Sequence, residues 1–173
     1  PVRTEVVTTG HGSIRSYGLD GKELWRITIP GTTMPTPSAF AIGDMLYVGT
    51  GAQGGDASRP FFAIRPGASG EIALKENETS NQFIAWSHPR ASGYTPSPVY
   101  HGGRLYLLHD TGIMAVLNAE TGKELYKARV GGIGHTFSAS PLLINDKIYF
   151  FDEDGTTIIV TPHHSDHWLT ISA

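Results

Sequence analysis

The sequence contains no cysteine, which excludes disulfide bonds, thiol catalysis and cysteine-ligated metal. Charged residues make up only 17% of the chain, below the quarter that is typical of globular proteins. The 13 basic and 16 acidic residues form no block of one sign. These features predict no nucleic-acid partner and no polybasic membrane patch.

Long apolar runs and enzyme motifs are also missing. No stretch approaches the length of a membrane span, and the opening letters PVRT have no signal-peptide character, so we expect the natural start to lie upstream. There is no Gly-x-Ser-x-Gly elbow, no His-Glu-x-x-His, no phosphate loop and no dinucleotide fingerprint. We therefore assign no catalytic residue.

Turn-forming residues are plentiful instead, with 21 Gly and 11 Pro, and they punctuate an internal repeat. Residues 95–100 (TPSPVY) lead through a Gly-Gly turn to RLYLL at 104–108, and residues 138–143 (SASPLL) lead through Asn-Asp to KIYFF at 147–151. An upstream copy runs from TPSAFAI at 36–42 to MLYV at 45–48. Short alternating strands separated by such turns predict antiparallel meanders.

The second half of the unit recurs as well. AETGKELY at 119–126 matches LDGKELW at 19–25, and FIAW at 83–86 fills the same position with a weaker turn. One aromatic per unit predicts a packing role for four residues: Trp25, Trp86, Tyr126 and Trp168. The units predict an incomplete blade at 1–30 and full blades at 36–88 (with an insertion at 51–59), 95–130 and 138–173.

The Gly-Lys-Glu-Leu-aromatic motifs resemble the pyrroloquinoline-quinone-type repeat of quinoprotein-like β-propellers, and the resemblance covers nearly the whole chain. It implies an all-β chain of four-stranded antiparallel blades, with a WD40-like architecture. Three full blades and three strands of another would make about half of an eight-bladed ring. The family includes quinone-dependent dehydrogenases and scaffold lipoproteins of outer-membrane assembly. It therefore implies a bacterial protein of the periplasm or the extracellular space.

In a propeller, the loops between blades and those between second and third strands emerge on one face. The candidate ligand-binding residues of that face are, in chain order, Arg59, Arg90, Tyr94, His109, Asp110, His135, Asp152, Glu153 and Asp154. The three carboxylates at 152–154 are a possible calcium site, although a hairpin turn explains them more simply. The histidines at 163, 164 and 167 are a possible metal site, although a solvated loop explains them more simply.

The absent motifs and the polar face favour a non-catalytic binding or scaffold domain for a protein, peptide or polymer. We expect it to need no cofactor. One alternative is a fragment of a quinone-dependent dehydrogenase that holds pyrroloquinoline quinone and calcium; the missing cysteine pair weakens its alcohol-dehydrogenase form. Another is a sensor or assembly domain of a larger polypeptide. Because an open arc exposes its end blades, we also expect further blades from the same polypeptide or from a second chain.

Overall fold

The computed structural model describes residues 3–31, 36–51 and 58–162. All regular structure in these residues is β-strand, as the repeat predicts. The chain divides into two compact units, residues 1–92 and 93–173, and each is described by itself.

Unit 1 contains two sheets. The strands are β1 (Val6–Gly10), β2 (Ser13–Tyr17), β3 (Glu23–Thr28), β4 (Phe40–Ile42), β5 (Met45–Gly49), β6 (Phe61–Ile64), β7 (Gly70–Glu71) and β8 (Ile84–His88). Sheet I has the order β1-β2-β3-β7, and sheet II has the order β4-β5-β6-β8. Neighbouring strands are antiparallel except β3 and β7, which are parallel.

Unit 2 repeats the pattern with shorter connections. Its strands are β9 (Val99–His101), β10 (Arg104–Leu108), β11 (Ile113–Asn118), β12 (Glu124–Arg129), β13 (Leu142–Ile144), β14 (Lys147–Phe151) and β15 (Thr157–Val160). Sheet III has the order β12-β11-β10-β9, and sheet IV has the order β13-β14-β15. The fourth strand expected for sheet IV, with Trp168, lies outside the described residues. The all-β blade pattern is confirmed.

A bulge at one position marks sheets I, II and III as copies of one unit. The register shifts opposite the residue before each aromatic, at Leu24, Ala85 and Leu125. Each of these residues is left without a partner on the neighbouring strand, and the aromatic that follows it is paired again, with Ser16, Ala63 or Val116. The shared Glu-Leu-aromatic letters of sheets I and III therefore encode a common backbone irregularity as well as a common side chain.

Each unit has its own apolar core. In unit 1 the core is built by Ile14, Trp25, Ile27, Phe62, Ile64 and Ile84. In unit 2 it is built by Tyr106, Met114, Val116, Phe137, Phe150 and Ile158. Core residues of one strand, such as Met114 and Val116, lie two positions apart because successive side chains of a strand point to opposite faces, and in β6, β10 and β11 the intervening residues are buried as well.

Candidate binding surface

In unit 2 the turns at one end of the strands are joined to the segment between sheets III and IV. Three backbone hydrogen bonds make the connection: Val130 N to Gly112 O (2.8 Å), Phe137 N to Asp110 O (3.0 Å) and Glu153 N to Thr136 O (3.0 Å). We call residues 109–112, 130–138 and 152–156 the loop ridge. Because main-chain bonds connect its three parts, the ridge is a pre-ordered surface.

The ridge is anchored from below by Phe137, whose side chain is only 1% exposed and belongs to the core of unit 2. Gly112 lies against this ring with a φ of 77°. A Cβ at Gly112 would lie 3.1 Å from the Phe137 ring and 3.3 Å from Val130 O. Position 112 therefore requires glycine for its left-handed backbone, and for the close approach of turn and linker.

Asp152 ties the linker to the β14–β15 turn. Its carboxylate is fully covered and accepts hydrogen bonds from His135 Nδ1, from Thr156 N (2.6 Å) and from Asp154 N (3.1 Å). The bond from His135 is the largest cause that lowers the pKa of Asp152; burial opposes it, and the two amides add to it. Asp152 is therefore an ionised structural acceptor.

Glu153, the next residue, fastens the other side of the linker. Its two carboxylate oxygens accept hydrogen bonds from Thr136 Oγ1 (3.1 Å) and from Ser138 Oγ. Glu153 remains exposed, so its charge still faces solvent while its position is fixed. The acidic turn thus holds the linker with side chains as well as with its backbone.

The exposed part of the ridge combines one large apolar group with negative charge. Ile133 is 94% exposed, in a stretch of glycines at 131–134. The ridge contains no lysine or arginine, and of its four carboxylates, at 110 and 152–154, those of Glu153 and Asp154 belong to exposed residues, whereas that of Asp152 is covered. Arg129, just before it, donates to Thr111 O (2.8 Å). The chemistry of the ridge suits a partner with apolar and basic groups.

The structure thus brings six of the nine candidate residues together on the ridge: His109, Asp110, His135, Asp152, Glu153 and Asp154. His109 lies half-buried at its edge, where its backbone closes the β10–β11 turn with Ile113 and Gly112. Tyr94 is half-buried near the start of unit 2.

Arg59 and Arg90 lie in unit 1, and Arg59 is not an exposed loop residue. It is 8% exposed, and its backbone bridges Arg90 in parallel and bonds to Pro89 O and Ser92 N. This pairing fixes the end of the β5–β6 connection. Arg90 itself is exposed. Residues 52–57 of the expected insertion lie outside the described residues.

No group of three or more His, Asp or Glu side chains suited to a metal ion occurs within residues 3–31, 36–51 and 58–162. The carboxylates of Asp152 and Glu153 instead accept protein hydrogen bonds. The histidines at 163, 164 and 167 lie outside the described residues. Across the same described ranges, no helix has the length and apolar character needed to cross a membrane.

The connection at 65–83 between β6 and β8, which supplies β7 to sheet I, is not predicted from the sequence. The predicted insertion of this blade lies at 51–59, in the β5–β6 connection. The available signal was the 18 residues that separate FFAI at 61–64 from FIAW at 83–86. That distance is too long for a hairpin turn.

The fold and repeat define a β-propeller of the quinoprotein-like class. Residues 10–164 match the family described as outer membrane protein assembly factor BamB, and the chain belongs to that family. A comparison with curated proteins found no matching sequence.

Solved structures share the fold at low sequence identity. BamB from Moraxella catarrhalis matches with a TM-score of 0.62 and 15% identity, over 91% of this chain and 42% of that one. A protein of unknown function from Bacteroides caccae matches with a TM-score of 0.56 and 13% identity, over 95% and 55%. Quinohemoprotein alcohol dehydrogenase ADHIIG from Pseudomonas putida HK5 matches with a TM-score of 0.58 and 11% identity, over 80% and 20%. The chain therefore spans about half or less of the length of these proteins.

Proposed function

We propose that this chain is a non-catalytic propeller domain whose loop ridge binds a protein partner. The observation that carries the proposal is a 94% exposed Ile133 on a linker whose ends are fixed by main-chain hydrogen bonds, on a ridge that also exposes Glu153 and Asp154. An isoleucine that is 94% exposed on an ordered surface gains free energy when a partner covers it. The surrounding negative charge selects basic partners and speeds their association.

Family membership supports a scaffold role, because the family is described by its part in outer membrane protein assembly. We infer that the domain works in the periplasm or the extracellular space, and that it needs neither quinone nor calcium. The inference about calcium is supported by the carboxylates of Asp152 and Glu153, which accept protein hydrogen bonds that hold the ridge together.

The proposal is tested with matched peptide sets that share apolar residues and differ only in carrying lysine and arginine or aspartate and glutamate. Binding of the chain to the basic set is measured by fluorescence anisotropy. We expect Ile133→Asp to weaken binding about tenfold, as loss of a central apolar contact does. The separate variant Asp154→Lys should also weaken binding, and by more at low salt than at high salt, because salt screens charge. Leu19→Asp is the matched control, because Leu19 is 77% exposed on a turn in unit 1.

Two results would contradict the proposal. One is equal loss of binding in Ile133→Asp and Leu19→Asp, which would show that the ridge is not the interface. The other is a bound chromophore with dye reduction when pyrroloquinoline quinone and calcium are added. That result would favour the quinone-dependent dehydrogenase instead.

A further inference from the structure

The long connection of sheet II roofs a cleft in unit 1. Residues 65–83 separate β6 from β8, whereas residues 119–123 separate the equivalent strands β11 and β12 of sheet III. The extra residues cross to sheet I, where β7 pairs with β3 and Ile72 N donates to Arg26 O (2.8 Å). The space beneath this segment has a volume of about 630 Å³. We call it the roofed cleft.

The walls of the roofed cleft are apolar and belong to the core of unit 1. Six apolar side chains line the cleft: Ile27, Ile29, Phe62, Ile72, Leu74 and Ile84. Leu74 is half-buried, and the other five are at most 7% exposed. They come from both sheets and from the roof, so they bound an open cleft on several sides. A volume of this size with apolar walls lies in the range of small-molecule sites.

The roof is held by its own hydrogen bonds, so the cleft is preformed. The 75–78 turn is closed by Glu78 N to Lys75 O (3.0 Å) and by Lys75 N to Glu78 Oε2 (3.2 Å), with Asn77 at a φ of 66°. Asn81 Nδ2 donates to Ala73 O (2.9 Å), and Asn81 Oδ1 accepts from Ile84 N (2.8 Å). A preformed site loses less conformational entropy when it binds a ligand.

The rim of the cleft is polar and carries a single charge. Its polar residues are Thr28, Ser58, Asn77, Glu78, Thr79 and Ser87. The Glu78 side chain is 40% exposed and lies 3.9 Å from Lys75 Nζ, which is 87% exposed. Such a long, exposed ion pair holds little energy, so a ligand cation can take the place of the lysine ammonium.

We propose that the roofed cleft binds a small molecule with an apolar body and one cationic group. The body lies against Ile29, Phe62 and Leu74 in the cleft, and the cation lies against Glu78 at the rim. This site is separate from the loop ridge and independent of the protein-binding function proposed above.

The test uses 4-phenylbutylamine as the probe and 4-phenylbutyrate as its anionic counterpart with the same apolar body. Binding to the whole chain is followed by nuclear magnetic resonance of backbone amides. We expect the amine to give saturable shifts at Ile72, Leu74 and Ile84, and to bind more tightly than the acid. Glu78→Gln should weaken amine binding about three- to fivefold, the size of a partly exposed charge contact. Lys75→Gln, the matched control, should leave binding unchanged or strengthen it.

Three outcomes would overturn the proposal. The first is equal binding of amine and acid, or no saturable shift at the cleft amides. The second is amine-induced shifts confined to the loop ridge around Ile133, which would assign the amine to that acidic surface. The third is a peptide with a Phe-Lys pair that binds the cleft more than about tenfold tighter than the amine, because the site would then be a peptide site. Since Glu78 and Lys75 are exposed, both variants should fold, which an unchanged amide spectrum away from the cleft verifies.

Discussion

Sheets II and III are copies of one four-stranded unit, but they join their strands in different ways. In sheet III the second and third strands are joined by residues 109–112, and the third and fourth by 119–123. In sheet II the corresponding connections are residues 50–60 and 65–83. Both sheets keep the same strand order and the same bulge before the aromatic.

The difference shows that the strand framework and the connections carry separate tasks. In the short β10–β11 turn of sheet III, the backbone carbonyls of Asp110 and Gly112 accept hydrogen bonds from the 130–138 linker, and these bonds form the loop ridge. The long connection of sheet II adds a strand to sheet I and encloses a cleft. The two candidate sites therefore arise at connections of two different lengths on one framework.

The largest expected effect tests whether the framework depends on its aromatics. Trp25 is 1% exposed, and its Nε1 donates to Glu5 Oε2 (2.8 Å), whereas Tyr126 at the equivalent position of sheet III is half-buried. We expect Trp25→Ala to lower the free energy of unfolding by about 3–5 kcal/mol, the usual cost of truncating a buried large aromatic. Tyr126→Ala should cost about half as much because less of its ring is buried. Urea unfolding followed by circular dichroism measures both.

Trp86 extends the same test to sheet II. It is 5% exposed and packs against Tyr47 and Phe61, with ring centroids 6.1 and 6.0 Å away. Trp86→Ala should therefore resemble Trp25→Ala in cost. A variant that kept the parental stability but lost binding of a ligand would show that the ring contacts the ligand instead.

Much of the framework could be predicted from the sequence, because alternation and turn residues act locally. The Tyr-containing second strands and the Glu-Leu-aromatic segments all form strands in the positions that the repeat indicates. The docking of β7 on β3 could not be predicted, since a two-residue strand has no periodicity and its partner lies more than 40 residues away. The burial of Arg59 was missed for a similar reason: its bridge to Arg90 is a long-range backbone contact.

The candidate site was predictable in outline only. The topology of a propeller blade indicated which loops share a face, and this placed Asp110, His135 and Asp152 near one another. It did not indicate that the carboxylate of Asp152 would be covered and bonded to His135. That detail depends on the path of the 130–138 linker. Its glycines allow many backbone conformations, so the path could not be predicted from the sequence.

The next prediction tests whether the ridge is held by its carboxylates. Asp152→Asn should lower the melting temperature by several degrees, because the amide cannot accept the same hydrogen bonds as the carboxylate. Since the pKa of Asp152 is lowered in the folded state, its stabilisation is complete above the pKa of an unfolded aspartate, about 4. It is lost as the pH falls through the lower folded pKa. The melting temperatures of the two proteins should therefore converge as the pH falls below the pKa of an unfolded aspartate and through the lower pKa of the folded protein.

The matched control for Asp152 is its exposed neighbour Asp154, whose backbone rather than its side chain contacts Asp152. Asp154→Asn should change the free energy of unfolding by no more than about 0.5 kcal/mol, as exposed substitutions usually do. If both variants melted alike at every pH, the proposed role of the Asp152 carboxylate in holding the ridge would be wrong.

The smallest expected effect concerns the charged residues of β3 and β12, the strands that carry the Glu-Leu-aromatic letters of the repeat. Glu23 Oε1 lies 2.6 Å from Arg26 Nε in β3, and Glu124 Oε2 lies 2.8 Å from Lys127 Nζ at the equivalent positions of β12. Glu23 also lies 3.6 Å from Arg15. All of these side chains are at least a quarter exposed, so water screens their attraction.

We expect Glu23→Gln and Glu124→Gln each to lower the free energy of unfolding by less than about 1 kcal/mol, the usual contribution of a partly exposed pair. Salt at about 1 M should remove most of the difference from the parent, because it reduces the Debye length to about 3 Å. Urea unfolding at low and high salt measures this. The contrary result is a loss of unfolding free energy in either variant that is as large as that of Trp25→Ala and persists in salt. Such a result would show that the charges of β3 and β12, rather than the buried aromatics, hold the blades together.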